Sequence, residues 1–215
     1  MKHFFLTIAL ILAVICTIFF YAPLEINQGM VQKIFYIHVS SAITMYIGFF
    51  ISFLFSILYF MKKKSNLFFI SQSSLEVAYV FSCIVLASGP IWAKPIWGTY
   101  WTWEPRLTTT FVMWLMYSAY MLLYSYFRET KKQGYGILSV LSMIFFLNVP
   151  LIHFSVKLWR GVHPSVLRNK EGLPPSMQWT LVLSLIGVVC LFFLLVRMRY
   201  AIHRLEVSVE RLQRT

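Results

Sequence analysis

Residues 31–64 read VQKIFYIHVSSAITMYIGFFISFLFSILYFMKKK. From Val31 to Phe60 the side chains are overwhelmingly apolar, and Lys62, Lys63 and Lys64 close the run. A helix rises about 1.5 Å per residue, so roughly 20 apolar residues span the hydrocarbon core of a bilayer. This run exceeds that length and predicts a spanning helix that tilts or projects past the bilayer. In lipid each backbone N–H and C=O needs a partner within the protein, which a helix supplies along its own length.

The rest of the chain repeats the pattern. Apolar runs cover Phe4 to Tyr21, Leu107 to Phe127, Tyr135 to Phe154 and Trp179 to Val196. A further run is cleanly apolar only from Val77 to Ala87, because Ser71, Gln72, Ser73, Ser74 and Glu76 precede it. That helix either begins near Leu67 with a polar face turned inward, or begins late. The expectation is an all-α polytopic membrane protein: one domain, residues 1–215, built as a bundle of six transmembrane helices. Composition agrees. Hydrophobic residues make up 59% of the 215 and charged residues 12%, whereas soluble domains carry about 25% charged residues. The first run follows Lys2 but has no small-x-small cleavage site before Pro23, so it reads as a retained anchor.

The formal charge is +12, and all seven acidic residues are Glu. The basic residues sit in short clusters between apolar runs, which is how membrane topology is encoded and not how a nucleic-acid surface is built. Twelve of the 19 Lys and Arg fall on the side that holds Lys2, Lys62–Lys64, Arg128 and the 197–215 tail; seven fall on the other. The positive-inside rule then places both termini in the cytoplasm. The tail carries Leu205, Val209 and Leu212 at a spacing that suits a short amphipathic helix. Cys16, Cys83 and Cys190 stand alone inside apolar runs. With no CxxC there is no thiol relay or cysteine zinc site, and with no CxxCH no c-type haem attachment.

Two outside segments hold the chemistry. The loop expected over 88–106, with the residues after it, reads SGPIWAKPIWGTYWTWEPRLTTT. It gathers Trp92, Trp97, Trp101 and Trp103, with Tyr100 among them. An interfacial aromatic belt scatters such rings over many helix ends. A dense cluster instead offers a platform for a planar ligand, since offset ring pairs gain about 0.5–1.5 kcal/mol beyond burial. Lys94 and Arg106 add cations, Glu104 an acid, and Pro105 suits the first turn of a helix whose N-terminus favours anions. A planar, apolar, anionic molecule fits this set, and a porphyrin with its propionates is one.

His38 lies about seven residues into the second helix, roughly 10 Å below its start. An ionisable side chain at that depth is costly and is expected to have a partner. His153 lies near the end of the fifth helix, and His163 lies in the second outside loop, 155–178, beside Trp159 and Arg160. Imidazole is a good iron ligand, and two imidazoles can hold a metalloporphyrin from both faces. His3 and His203, in charged surroundings, read as surface residues.

WGTYWTWEPRLTTT resembles the tryptophan-rich WWD signature of the haem-handling membrane proteins of cytochrome c biogenesis. KIFYIHVSSA and NVPLIHFSVKLWRGVHP resemble the two histidine segments of one such family, CcmC, the haem exporter protein C family. The resemblance covers roughly residues 30 to 200. It implies a protein that holds b-type, non-covalent haem at the periplasmic face of the bacterial cytoplasmic membrane. It implies delivery to the periplasmic chaperone CcmE, beside the CcmA/CcmB transporter and the small CcmD. The family's ligand histidines map onto His38 and His163, and the tryptophan loop onto the haem platform and chaperone contact. Glu104 stands where the signature has aspartate, Tyr100 where it has a tryptophan, and Pro105 where alanine is common.

The residues leave Lys94, Arg106, Arg160 and Arg168 as competing partners for the propionates. They also leave other functions to weigh. A haem lyase of the same signature group would be longer, with more helices and histidines. A permease subunit for haem or a small solute would line a path with polar groups, and the inner half of this bundle reads as apolar apart from Glu76 and nearby Ser and Thr. No catalytic constellation and no P-loop is present, so a non-enzymatic delivery subunit is the expected role.

Overall fold

The computed structural model describes residues 2–130, 134–159 and 173–213. They are helical almost throughout, with no β-strand among them. Among the described residues seven α-helices follow in order: α1 Lys2–Cys16, α2 Ile34–Lys62, α3 Ser65–Trp97, α4 Pro105–Glu129, α5 Tyr135–Phe146, α6 Asn148–Trp159 and α7 Pro175–Leu212. A π-helical turn, Thr17–Tyr21, extends α1, and a 3₁₀ turn, Met30–Lys33, leads into α2. Helices α5 and α6 together make one span. Among the described residues, six helical segments are long and apolar enough to cross a membrane, as the apolar runs foretold.

Each boundary has a local cause. Helix α2 ends where Lys63 takes a left-handed conformation (φ 53°) and its N–H bonds Tyr59 O at 2.7 Å. Lys64 is extended, and α3 begins at once. Helix α3 ends at Gly98, φ 73°, whose N–H bonds Lys94 O at 2.9 Å; a residue without Cβ adopts this conformation at little cost. Pro105 opens α4 behind an extended Glu104. Leu147 separates α5 from α6, three residues before Pro150, which has no N–H to continue the ladder.

The extents differ from the sequence reading in two places. The tryptophan-rich segment is not a loop from residue 88: α3 runs through Gly89, Pro90 and Pro95 to Trp97. Within a bundle, neighbouring groups take up the hydrogen bonds a proline forfeits. The tail is likewise no separate element, because α7 continues unbroken to Leu212. The early start of α3 matches the first of the two alternatives: it begins at Ser65, and Ser71, Gln72, Ser73, Ser74 and Glu76 are all buried.

Helices α2 and α3 form the longest interface, and α7 packs on both and on α1. At mid-bundle, a Cβ added to Gly48 would come within 2.7 Å of both Ala78 Cβ and a Phe192 ring carbon, so α2, α3 and α7 meet there without room for a methyl group. Phe49 stacks on Tyr117 of α4 at 3.8 Å between centroids. Towards the end of the bundle where α2 meets α3, Ser52 Oγ lies 3.0 Å from Ser71 Oγ and 2.9 Å from Ser142 Oγ, and Ser56 Oγ lies 2.8 Å from Ser71 Oγ, tying α2, α3 and α5. At the other end, Lys33 is buried and donates to Ile18 O (2.6 Å), Phe19 O (3.0 Å) and Ala22 O (3.3 Å). An ammonium suits the negative end of a helix, and here it pins the first span to the start of α2, one turn before His38.

Candidate haem site

A cavity of about 380 Å³ opens at the end of the bundle that carries the tryptophan segment. Its walls are mostly apolar. His38 from α2, Trp92 and Trp97 from α3, Trp101 and Arg106 from the start of α4 and its approach, and His153 from α6 all line it. The volume falls within the range of ligand pockets, about 300–1,000 Å³.

The side chains reach the cavity for identifiable reasons. Phe35, His38, Ala42 and Tyr46 recur on one face of α2 at helical spacing and all line it. Trp92 and Trp97 project from the final turns of α3. Trp92 packs on Phe35 and on the His38 ring, each 5.7 Å between centroids, and its indole N–H donates to Gln28 Oε1 at 2.9 Å. The 22–30 connection is thereby held against the same wall. Trp101 meets Trp103 edge-on at 5.8 Å and Phe111 at 6.0 Å. The Trp101 Nε1 atom is buried and makes no hydrogen bond with the described residues. His38 Nδ1 lies 2.9 Å from Ser88 Oγ.

Five of the ten expected site residues therefore share one cavity: His38, Trp92, Trp97, Trp101 and Arg106. Four others stand apart from its lining. Lys94 Nζ donates to Gly98 O at 2.8 Å and sits 5.2 Å from the Tyr100 ring centroid, so it closes the helix end and does not face the cavity. Tyr100 and Trp103 are turned outward, Trp103 being 74% exposed. Glu104 is buried at the residue before α4. For Lys94 the separation follows from α3 continuing to Trp97, because positions on a helix point to different sides; Tyr100, Trp103 and Glu104 lie in the non-helical stretch between α3 and α4. The tenth, His163, lies outside the described residues, as do Arg160 and Arg168.

Ser88, Gln28, Gly89 and Tyr46 also belong to the site, though none stands out in the sequence as a ligand-binding residue. Tyr46 had a signal, the i+8 position from His38. Ser88 and Gln28 had none, since their partners lie 50 and 64 residues away. His203 is a correction. It reads as a surface residue but is 2% exposed, enclosed by Glu76, Tyr124 and Phe69 at the opposite end of the bundle.

The residues fit haem as a cargo. The apolar walls match a macrocycle, the indoles offer flat faces, His38 can ligate iron, and Arg106 can meet a carboxylate. Among the described residues no three His, Cys, Asp or Glu side chains gather as a multidentate metal site would need. A porphyrin supplies four iron ligands itself and asks the protein for axial ones.

Fold and cavity define a class: a multi-pass helical membrane protein with a ligand chamber at one end. Comparison with known proteins then gives the family. The sequence model of the CcmC family, heme exporter protein C, matches residues 1–214, and the chain belongs to that family. It is 31% identical over 188 residues to heme exporter protein C of Escherichia coli (strain K12), covering 84% of this chain and 74% of that one. It is 28% identical over 202 residues to heme exporter protein C of Rhodobacter capsulatus, covering 91% and 81%. A Marchantia polymorpha mitochondrial protein, named as ccmC-like and for cytochrome c biosynthesis, is 28% identical over 177 residues, covering 81% and 72%.

Proposed function

We propose that this chain holds non-covalent haem in the cavity between α2, α3, α4 and α6 and hands it on for the maturation of c-type cytochromes. Membership of the heme exporter protein C family supports haem handling, and the naming of the Marchantia relative for cytochrome c biosynthesis supports the pathway. The single observation that carries the site is convergence. His38, three indoles and Arg106, from separate elements, line one apolar chamber.

In this reading His38 is one axial ligand, held on a membrane helix. His163, the position matching the family's second histidine, is the other and the more readily exchanged, since loops move more than helix cores. Trp97 and Trp101 stack on the porphyrin, and Arg106 meets a propionate. The exposed Tyr100 and Trp103, with Lys94 beside them, form the rim that a CcmE-type chaperone contacts, and the buried Glu104 lies behind that rim at the start of α4. The CcmA/CcmB transporter and CcmD are its working partners. The membrane is the bacterial cytoplasmic membrane, with the cavity facing the periplasm and both termini in the cytoplasm. The chain performs no covalent chemistry. It binds, orients and shields the haem, and releases it when one ligand is exchanged.

The test is the visible spectrum of the detergent-purified protein after addition of hemin. The wild type should show a Soret band of bis-imidazole type. His38→Ala and His163→Ala should each lose or shift it, and His153→Ala should keep it. Loss in His153→Ala with retention in His163→Ala would move the second ligand to His153, which lines the chamber. A wild type that takes up no haem would overturn the reading.

A further inference from the structure

We propose that Ser88 is a positioning residue that fixes the tautomer and orientation of His38, keeping the ring proton on Nδ1 and the lone pair on Nε2. Ser88 Oγ has two kinds of neighbour. On one side are backbone carbonyls of its own helix, Ile84 O at 2.7 Å and Val85 O at 3.4 Å. On the other is His38 Nδ1 at 2.9 Å. A hydroxyl has one proton, and a carbonyl can only accept. The Ser88 proton is therefore committed to Ile84 O. The contact with His38 must then use a Ser88 lone pair, so Nδ1–H is the donor.

That assignment decides which imidazole nitrogen is basic. A neutral ring protonated at Nδ1 carries its ligating lone pair on Nε2. The same face of α3 makes two further contacts with the ring. A Cβ on residue 89 would lie 3.3 Å from His38 Cε1 and 3.9 Å from Nδ1, so the imidazole edge rests against the backbone at Gly89. Trp92, one turn on, packs against the ring at a 57° tilt. Ser88, Gly89 and Trp92 thus hold one imidazole by a hydrogen bond, a backbone contact and an indole. Ligating histidines commonly donate their second N–H in this way, which orients the ring and raises its basicity. The role toward iron rests on His38 being a haem ligand; the tautomer does not.

The experiment has a haem-free and a haem-loaded part. In the first, the full chain labelled with ¹⁵N-histidine is studied in detergent micelles by long-range ¹H–¹⁵N correlation, His38 being identified by the signal missing in His38→Gln. The wild type and Ser88→Thr, which keeps the hydroxyl, should show protonated Nδ1 and unprotonated Nε2. Ser88→Ala should shift toward the Nε2–H form. An Nε2–H ring or a doubly protonated ring in the wild type, or no change in Ser88→Ala, would overturn the proposal. In the second part, hemin is titrated. Ser88→Ala should bind ferric haem about tenfold more weakly, the lower end expected for an outer-shell partner, and its midpoint potential should rise because the ligand is less basic. Ser88→Thr should match the wild type in both. His38→Ala binding hemin as well as wild type would remove the iron ligand reading and the role of Ser88 toward iron, leaving the tautomer result standing. Wild-type affinity and potential in Ser88→Ala, with His38→Ala defective, would overturn the positioning role alone.

Discussion

The two ends of the bundle hold their polar groups differently: one closes them into a network, and the other, the buried Lys33 apart, sets them around an open cavity. At the end remote from the tryptophans, Glu76 of α3 accepts from Gln72 Nε2 at 2.9 Å and from the guanidinium of Arg199, with His203 Nε2 3.4 Å away. Tyr120 OH donates to Gln72 Oε1 at 2.6 Å, and His203 Nδ1 lies 3.3 Å from Tyr124 OH and 3.6 Å from Glu206, which pairs with Arg128. Each of these groups answers another, and together they join α3, α4 and α7. At the tryptophan end, His38, Arg106 and the Trp101 indole N–H border an open chamber. A polar group enclosed by partners locks helices together; one that also borders a cavity can reach a ligand. Histidine appears at both ends, His203 in the lock and His38 in the chamber, so residue type alone does not assign the role.

The largest effect should come from breaking the lock. Glu76→Ala removes the carboxylate and leaves Arg199 and His203 facing each other in a partly buried space. Removing one member of a buried pair costs about 3–5 kcal/mol, and the partial exposure of Arg199, 29%, points to the lower figure. Thermal unfolding in detergent should show a large drop in midpoint. Protein that remains folded should still bind hemin with near wild-type affinity, because the two ends are separate. Unchanged stability would mean that the network is not a lock. Hemin affinity lost in step with Glu76 while the fold persists would mean that the two ends are coupled.

The middle of the bundle keeps those ends apart. Gly48→Ala places a methyl group 2.7 Å from Ala78 and Phe192. Overpacking of this kind costs about 1–3 kcal/mol. The melting midpoint should fall, by less than in Glu76→Ala. A neutral result would show that α7 shifts aside freely and that the α2, α3 and α7 contact is loose.

Arg106→Gln sharpens the chamber side of the comparison. It deletes the one cation among the described cavity-lining residues while leaving α4 its N-terminal Pro105. A hydrogen bond to a charged group contributes about 1.5–3 kcal/mol, so hemin affinity should fall about tenfold to a hundredfold with little change in melting midpoint. The inverse pattern, stability lost and affinity kept, would make Arg106 a structural residue and return the propionates to Arg160 or Arg168.

The six spans were legible in the sequence because bilayer thickness sets a length that apolar runs must meet. The chamber was half legible. His38 stood out by its depth in a membrane helix, and Trp97, Trp101 and Arg106 by their density. Membership of the chamber was harder, because Gly89, Pro90 and Pro95 read as loop punctuation, whereas α3 carries them as helix and so turns Lys94 away. His203 was misjudged for a related reason. Its neighbours in sequence are charged, but its neighbours in space, Glu76 and Tyr124, lie on α3 and α4. Glu76 was visible as an oddity; its partner Arg199, 123 residues on, was not, since nothing local in the chain encodes a pairing across helices.

The smallest expected effect concerns Lys94. By sequence it ranks with Arg106 as a partner for haem propionates, yet its ammonium donates to Gly98 O and borders the exposed Tyr100 ring. An exposed cation of this kind contributes about 0–1 kcal/mol. Lys94→Gln should therefore change hemin affinity by no more than about fivefold, short of Arg106→Gln, and leave the Soret band in place. Transfer of haem to a CcmE-type acceptor is a separate readout. Lys94, Tyr100 and Trp103 share the outward side of the segment, so Lys94→Gln should slow transfer if that rim is the docking surface, even with affinity unchanged. A tenfold loss of hemin affinity in Lys94→Gln would mean that the end of α3 rearranges around the cargo, and would draw the rim and the chamber into a single site.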